Sequence, residues 1–547
     1  MRVLIINTSE RIGGAAVAAG RLMESLKNNG IKAKMLVRDK QTDQISVVGL
    51  KRSWLHVWKF MWERIVIWKA NRFKKNDLFA VDIANTGTDI TSLPEFQQAD
   101  VIHLHWINQG MLSLNTIRKI LTSGKPVVWT MHDMWPCTGI CHYARECRNY
   151  EQECHHCPYI YGGGGKKDLS TRIFRKKKEI YSQAPITFVG CSRWLAEKAK
   201  VSGLLTGQTV INIPNAINTN LYKPHNKQEA RRKCRLPQEG KLILFGSVKI
   251  TDKRKGIDYL IEACKLLVEK HPEWKDSLGV VVFGNQSQQL QDLIPFRVYP
   301  LPYIKNEHEL VDIYNAVDLF AIPSLEENLP NMVMEAMSCG VPCVGFNTGG
   351  IPEMIDHLHN GYVAQRKSAE DLANGIHWIL TEPEYAELSA QACRKAIGNY
   401  SESIIAKKYT DVYNKITGKY ASCPSYSQVL DYHGDLQCRK SAGRYHPKCY
   451  LADLSPCRIY HCGRSLQRRY SLYHRQIPVT DTHRHQRTGQ RTVRCHEQGN
   501  LPRRRRLSLF SECGRLLSRR RYFATDSAQH QWQRTSRRYL RGNRDCR

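Results

Sequence analysis

Apolar positions in the first 413 residues follow two alternating patterns. Short continuous runs occur at Arg2–Asn7, Val127–Thr130, Ile186–Gly190, Leu242–Gly246, Gly279–Gly284, Leu319–Pro323 and Val341–Phe346. Such runs, ended by turn residues, predict buried strands. Between them, apolar residues recur every three or four positions, which predicts helices over Ala15–Leu26, Leu169–Tyr181, Trp194–Lys200, Ile257–Glu269, Lys367–Leu380 and Pro383–Tyr413. A further helix starts near Pro330, carries Met332, Val333, Ala336 and Met337 on one face, and stops at Gly340. Strand–helix alternation of this kind specifies α/β domains with doubly wound parallel sheets. Pro214–Asn218 reads as a hinge, dividing the chain into domains 1–218 and 219–390.

Lys51–Lys75 departs from that alternation. Trp54, Trp58, Trp62 and Ile65 share one helical face, while His56, Lys59, Glu63 and Arg52 lie opposite. A tryptophan stripe edged with cations suits a helix lying on a membrane surface, and core packing would explain the same stripe.

The polar positions that break the pattern carry the candidate chemistry. Glu327 falls in a turn-rich loop and Glu335 in the helix after it, eight residues on. Between them lie the first N–H groups of that helix, a natural seat for phosphate, and carboxylates can accept hydrogen bonds from hydroxyls. A nucleoside-diphosphate sugar has this layout. Gly13-Gly14 ends the first strand–loop, without the G-x-G-x-x-G fingerprint of an NAD site. Asp100–Trp106 reads as a strand with His103 and His105 on one side, and His132 follows the next strand. Ligands of open parallel sheets bind beyond such strand ends, so His103 and His105 are candidates for an acceptor cleft or for structural histidines.

The run S-L-E-E-N-L-P-x4-E-A-M-S-C-G-V-P, continuing through Gly349-Gly350-Ile351-Pro352-Glu353, resembles the E-x7-E signature of retaining glycosyltransferases of family 4. V-W-T-M-H-D-M-W-P-C-T-G resembles a subgroup of that family among enzymes that build bacterial surface polysaccharides. The resemblance covers about residues 1–419. It implies the GT-B fold, with two Rossmann-like domains facing across a cleft and a C-terminal helix, 391–419, returning to the first domain. It also implies roles: Glu327 on the donor sugar, Glu335 on the ribose, His132 facing the sugar, and Gly14 against the donor phosphate. Asn328, Leu329, Asn331 and Met332 supply the backbone around the diphosphate. Lys255-Gly256 matches the family's phosphate-binding lysine, but Ser247 stands where its arginine is expected, leaving Arg254 to compensate. The implied reaction moves a sugar with retention to a growing, lipid-linked glycan or oligosaccharide. A GT-B nucleotide-sugar epimerase and a non-catalytic glycan or nucleic-acid binder are the alternatives.

Cysteines and charge add two regions. An insert at 137–157 holds Cys137, Cys141, Cys147, Cys154 and Cys157. The last four, spaced C-x5-C-x6-C-x2-C, fit a structural zinc site, free thiols or disulfides. Residues 1–420 contain no Asp-x-Asp, and the resembling fold needs no catalytic metal or other cofactor. Of the net charge of +32, residues 421–547 carry +19, from 25 Arg and 2 Lys against 6 Asp and 2 Glu. Residues 420–547 show no sustained period and no recognisable RNA-binding module. They read as a disordered tail or translation of another frame, so nucleic acid is not an expected partner. The +13 on the remainder suits an anionic donor and an anionic membrane surface. With no leader pattern and no run of eighteen apolar residues, the expected setting is cytoplasmic, peripheral on the inner face of the cell membrane.

Overall fold

The computed structural model describes residues 1–418 except Arg52, Lys75, Asn76 and Lys305. The readings made for residues 420–547, and for Arg52, lie outside the described residues.

Two parallel sheets form the body. The first comprises β1 (Arg2–Ser9), β2 (Lys32–Asp39), β3 (Val47–Gly49), β4 (Val101–Leu104), β5 (Val127–Met131), β6 (Ile186–Gly190) and β7 (Thr209–Asn212). Their order is β3-β2-β1-β4-β5-β6-β7, and every neighbouring pair is parallel. The second comprises β8 (Lys241–Lys249), β9 (Leu278–Asn285), β10 (Arg297–Leu301), β11 (Leu319–Ile322), β12 (Cys343–Phe346) and β13 (Gly361–Ala364), in the order β10-β9-β8-β11-β12-β13. Both are Rossmann-like, and the strand order reverses at β1/β4 and again at β8/β11. Those reversals open crevices at the strand C-termini.

Helices cover both faces, which is why the strands are apolar throughout. In β1, Leu4 and Ile6 point into one core, while Val3 and Ile5 point into another with Leu22, Met23 and Leu26 of α1 (Gly14–Asn28). The second core also takes Ile405, Ala406, Tyr409 and Tyr413, so the helix Glu402–Ile416 does return to the first domain. The return begins later than residue 391. Helix Tyr385–Tyr400 still packs Ala392, Ala396 and Tyr400 into the second domain's core. The expected single helix breaks at Ser401, whose extended backbone (φ −57°, ψ 147°) pairs with Ile217 at the hinge.

α2 (Trp54–Ala70) settles the question left by its tryptophan stripe against core packing. Trp54, Trp58 and Trp62 are 69%, 54% and 49% exposed, whereas Glu63 and Arg64 are buried. Glu63 accepts the Ile83 and Ala84 N–H groups at 2.8 and 2.7 Å, and Arg64 donates to the Leu78 and Val81 carbonyls. The helix is thus anchored through Glu63 and Arg64 together with Ile67, which packs into the first domain's core.

Candidate active site

The loops leaving β8 and β11 meet at the second switch point. After β8, Asp252 caps a short turn by accepting the Arg254 N–H at 3.1 Å, which sets Lys253–Lys255. Gly256 follows at φ +71°, where a Cβ would lie 1.8 Å from the Pro323 carbonyl oxygen. Only glycine lets this turn press against the loop leaving β11. The Leu325 N–H then donates to the Arg254 carbonyl at 2.7 Å, and Lys255 Nζ reaches Glu327 Oε2 at 2.6 Å.

A second glycine pair closes the loop from the other side. Cβ atoms at Gly349 (φ +57°) and Gly350 would fall 1.8 Å from the Glu327 carbonyl and 2.4 Å from that of Asn328. The Gly350 N–H instead donates to Asn328 O at 2.7 Å. The Gly-Gly of the signature therefore fixes the backbone that carries Glu327. Leu329 is buried beside it and Met332 half-buried, both packed in the second domain's core.

Polar contacts join this loop to the first domain. Asn328 accepts from Ser192 Oγ at 2.5 Å and donates to the His132 carbonyl at 3.1 Å. Asn331, first residue of the helix Asn331–Ser338, donates to Gly14 O at 3.0 Å and accepts from Asn215 at 3.0 Å. Glu353 accepts the Arg193 and Trp194 N–H groups at 2.8 and 2.7 Å, capping the helix Arg193–Lys200. From the cysteine insert, Arg145 donates to Glu326 at 2.7 Å. Gly14, His132, Asn328 and Asn331 are thus brought together, with Lys255 and Glu327 joined by the same loop.

Glu335 sits in a buried ion pair. It is 4% exposed, with Oε1 2.8 Å from Arg21 and Oε2 accepting from Tyr314 OH at 2.8 Å. Arg21 also reaches Glu307 at 2.9 Å and Tyr222 OH at 2.9 Å. Burial works against the Arg21 charge, but Glu335, Tyr222 and Glu307 outweigh it and raise its pKa. Glu335 is therefore one end of a buried inter-domain ion pair. Each oxygen keeps a second acceptor direction for a hydroxyl.

The cations differ too. Ser247 is buried and donates its hydroxyl to Lys249 O at 3.0 Å, so no phosphate-binding side chain stands where the arginine was expected. Arg254 is paired with Asp252 at 2.7 Å and is influenced by Tyr143 and Glu327, which puts its charge beside the loop.

The histidines need correction. His103 and His105 are buried, 0% and 3% exposed, and do not line an acceptor cleft. His103 bonds Tyr413 OH and Thr130 Oγ1, both at 2.7 Å, while His105 Nδ1 lies 2.9 Å from His132 Nε2. β4 is the central strand of its sheet and the returning helix covers it, which explains their enclosure. Burial lowers the His103 pKa to about 3 and the His132 pKa to about 4, keeping both rings neutral. The other His132 nitrogen, Nδ1, faces Cys191 Sγ at 3.7 Å. Nearby, His142 bridges Asp133 and Asp82, each at 2.7 Å. Burial opposes its charge, but the two carboxylates prevail and raise its pKa to about 10.

Cys141, Cys147, Cys154 and Cys157 line one small cavity in the insert. No group of three or more His, Cys, Asp or Glu among the described residues has an arrangement suited to holding a metal ion. These cysteines are free thiols, and burial pushes those of Cys141, Cys154 and Cys157 up to about 12.

Sequence reasoning missed Arg21, Tyr314, Ser192, Asn215 and Arg145. Each is polar and unremarkable in its local pattern, and each gains its role from a partner more than 20 positions away.

Comparison with known proteins agrees with this architecture. Residues 226–396 match the family model Glycosyl transferases group 1, so the second domain is a domain of that type. The chain is 27% identical over 182 residues to an uncharacterized glycosyltransferase of Haemophilus influenzae, covering 32% of this chain and 48% of that protein. It is 27% identical over 360 residues to an uncharacterized glycosyltransferase of Methanocaldococcus jannaschii, covering 61% and 89%. The chain thus spans about half of the first relative and most of the second. Among solved structures, sucrose-phosphate synthase from Thermosynechococcus elongatus superposes with a TM-score of 0.54 at 18% identity, covering 77% of this chain and all of that one. Anabaena HepE in complex with UDP and glucose gives 0.51 at 16%, covering 76% and all of that chain. The fold is GT-B.

Proposed function

We propose that this protein is a retaining glycosyltransferase of family 4, moving a hexosyl group from a nucleoside-diphosphate sugar to a growing glycan in polysaccharide synthesis. The observation that carries the proposal is the meeting of Lys255 and Glu327 at 2.6 Å, in a loop whose backbone two glycines and Asn328 fix in place. Lys255 and Arg254, with the backbone of Asn328–Met332, would stabilise the charge developing on the leaving diphosphate. Preorganised electrostatics of this kind supplies the largest catalytic term in many enzymes. Glu327 would accept hydroxyls of the donor sugar, and Glu335 would turn a free acceptor direction to the ribose. His132 would act by orienting Asn328 through its carbonyl. No side chain is assigned as nucleophile: the leaving phosphate would assist the acceptor on the same face of the sugar.

The donor class is supported by the match of residues 226–396 and by the fold shared with a protein solved with UDP and glucose. The lipid-linked acceptor rests on the resemblance of Val128–Gly139 to enzymes of surface-polysaccharide assembly, and would bring the protein to the cytoplasmic face of an anionic membrane. No cofactor is assigned to the chemistry.

The test is a product assay across a panel of nucleoside-diphosphate sugars, with and without oligosaccharide acceptors, and the product anomer read by NMR. Transfer with retention is expected, falling at least a hundredfold in Lys255→Ala. Turnover of the sugar without any acceptor would replace this reading with an epimerase, and an inverted product would remove the retaining mechanism.

A further inference from the structure

α2 buries Ile67 in the core, yet most of its apolar surface is turned away from the protein. Its polar residues Glu63 and Arg64 are buried, and Lys59 donates to Thr88 Oγ1 at 3.0 Å. Most of its large apolar residues face outward: Trp54, Leu55, Val57, Trp58, Met61, Trp62 and Ile65 are each at least 38% exposed. At 1.5 Å per residue, Trp54 to Ile65 extends about 16 Å along the helix axis. Phe73, 61% exposed, continues the patch beyond the helix end. A contiguous apolar surface of this extent on a folded protein marks an interaction site.

The charge around the patch identifies its occupant. Lys51, before the helix, is exposed, and so are Lys69, Arg72 and Lys74 at the other end. The one acidic residue of the helix, Glu63, is turned inward and occupied by backbone amides. Indole rings flanked by cations match the boundary between acyl chains and anionic headgroups. A second copy of the same face would bring cations against cations, which opposes self-association through this surface. No helix among the described residues is long and apolar enough to cross a membrane, so contact would be from one side.

We infer that α2 is a membrane-docking helix that lays Trp54, Trp58, Trp62 and Ile65 into one leaflet of an anionic bilayer, with Lys51, Lys69, Arg72 and Lys74 on the headgroups. This supplies the contact surface for the membrane reading of the proposed function, and it is tested without any sugar transfer.

The full chain is mixed with vesicles of phosphatidylglycerol and phosphatidylcholine, or of phosphatidylcholine alone, and co-sedimentation is measured beside Trp58→Glu/Trp62→Glu and Lys69→Glu/Arg72→Glu/Lys74→Glu. All three proteins carry the same residues 421–547, so the +19 there contributes equally. The first variant is expected to partition at least tenfold more weakly on both vesicle types, and the second to lose the preference for phosphatidylglycerol. Brominated acyl chains should quench more fluorescence in the parent than in the tryptophan variant. Circular dichroism melts of the variants should match the parent, since the altered side chains are exposed. Binding by the tryptophan variant equal to the parent's would overturn the inference, as would a parent that stays in the supernatant with anionic vesicles. A vesicle-independent dimer that the tryptophan variant dissociates would overturn it in favour of a second copy.

Discussion

Lys255 Nζ lies 2.6 Å from Glu327 Oε2, joining the loops that leave β8 and β11. A diphosphate arriving at this loop would compete with Glu327 for the ammonium. Lys255→Ala is expected to weaken donor binding and to lower kcat about 10²–10³-fold, the usual effect of removing one electrostatic contact to a developing charge. Glu327→Gln keeps the shape and removes the carboxylate, so it should reduce turnover while diphosphate affinity is retained or increased. Steady-state kinetics together with calorimetric titration of the nucleoside diphosphate check both. Full turnover in Lys255→Ala would exclude the assigned role.

Gly349→Ala would place a methyl 1.8 Å from the Glu327 carbonyl at a positive φ. Backbone strain alone costs about 1–3 kcal/mol, and relief of the clash must move the residue proposed to hold the sugar. The expected result is a lower Tm with at least a tenfold loss of donor affinity. Gly398→Ala, in the helix Tyr385–Tyr400 with open space around it, should instead stabilise by about 0.5–1 kcal/mol. Thermal melts of the two variants side by side give the contrast.

Arg21→Ala leaves Glu335 buried beside Tyr314 without its counter-charge. Breaking one partner of a buried pair costs about 3–5 kcal/mol, so urea unfolding should show a loss of that order. A double-mutant cycle with Glu335→Gln should return much of it, because the orphaned charge is then gone. Additive losses would mean that the 2.8 Å pair contributes little.

Stability should peak near neutral pH, with a different histidine group limiting each side. His103, His105 and His132 have lowered folded pKa values, about 3 and about 4 for the first and last. The unfolded chain takes up their protons first, near pH 6.5, so stability falls as pH drops from there towards 4. His142 is raised to about 10. Its contribution is fully present below pH 6.5 and is lost as pH rises towards 10. His142→Gln should lower Tm at pH 6 and flatten the decline above pH 7, as followed by circular dichroism at a series of pH values.

Much of this architecture is legible in the chain because buried parallel strands are apolar throughout, as in LILFG at Leu242–Gly246. The loop carrying Glu327 is legible for another reason. Gly256, Gly349 and Gly350 each sit where a side chain would strike a carbonyl, so local geometry restricts the residue types. What sequence could not give is pairing at a distance. Arg21 and Glu335 are 314 positions apart, and neither looks unusual in its own helix. The break at Ser401 has no proline to announce it, and Gly398 is helical. For α2, periodicity revealed an apolar stripe but not its direction, since Glu63 meets its amides only after residues 83 and 84 fold beneath it. His103 lies on the strand its pattern predicts and His105 just past the end of it, yet the enclosure of His103 depends on Tyr413, more than 300 residues away.

Glu353 belongs to the second domain, while the two amides it accepts belong to a helix of the first. That helix is complete only while the halves meet. Were the jaws to part, Arg193 and Trp194 would turn to water for partners and the helix's opening turn would loosen. Amide exchange at those two positions would then act as a gauge of how often the molecule gapes, readable with no sugar in the tube.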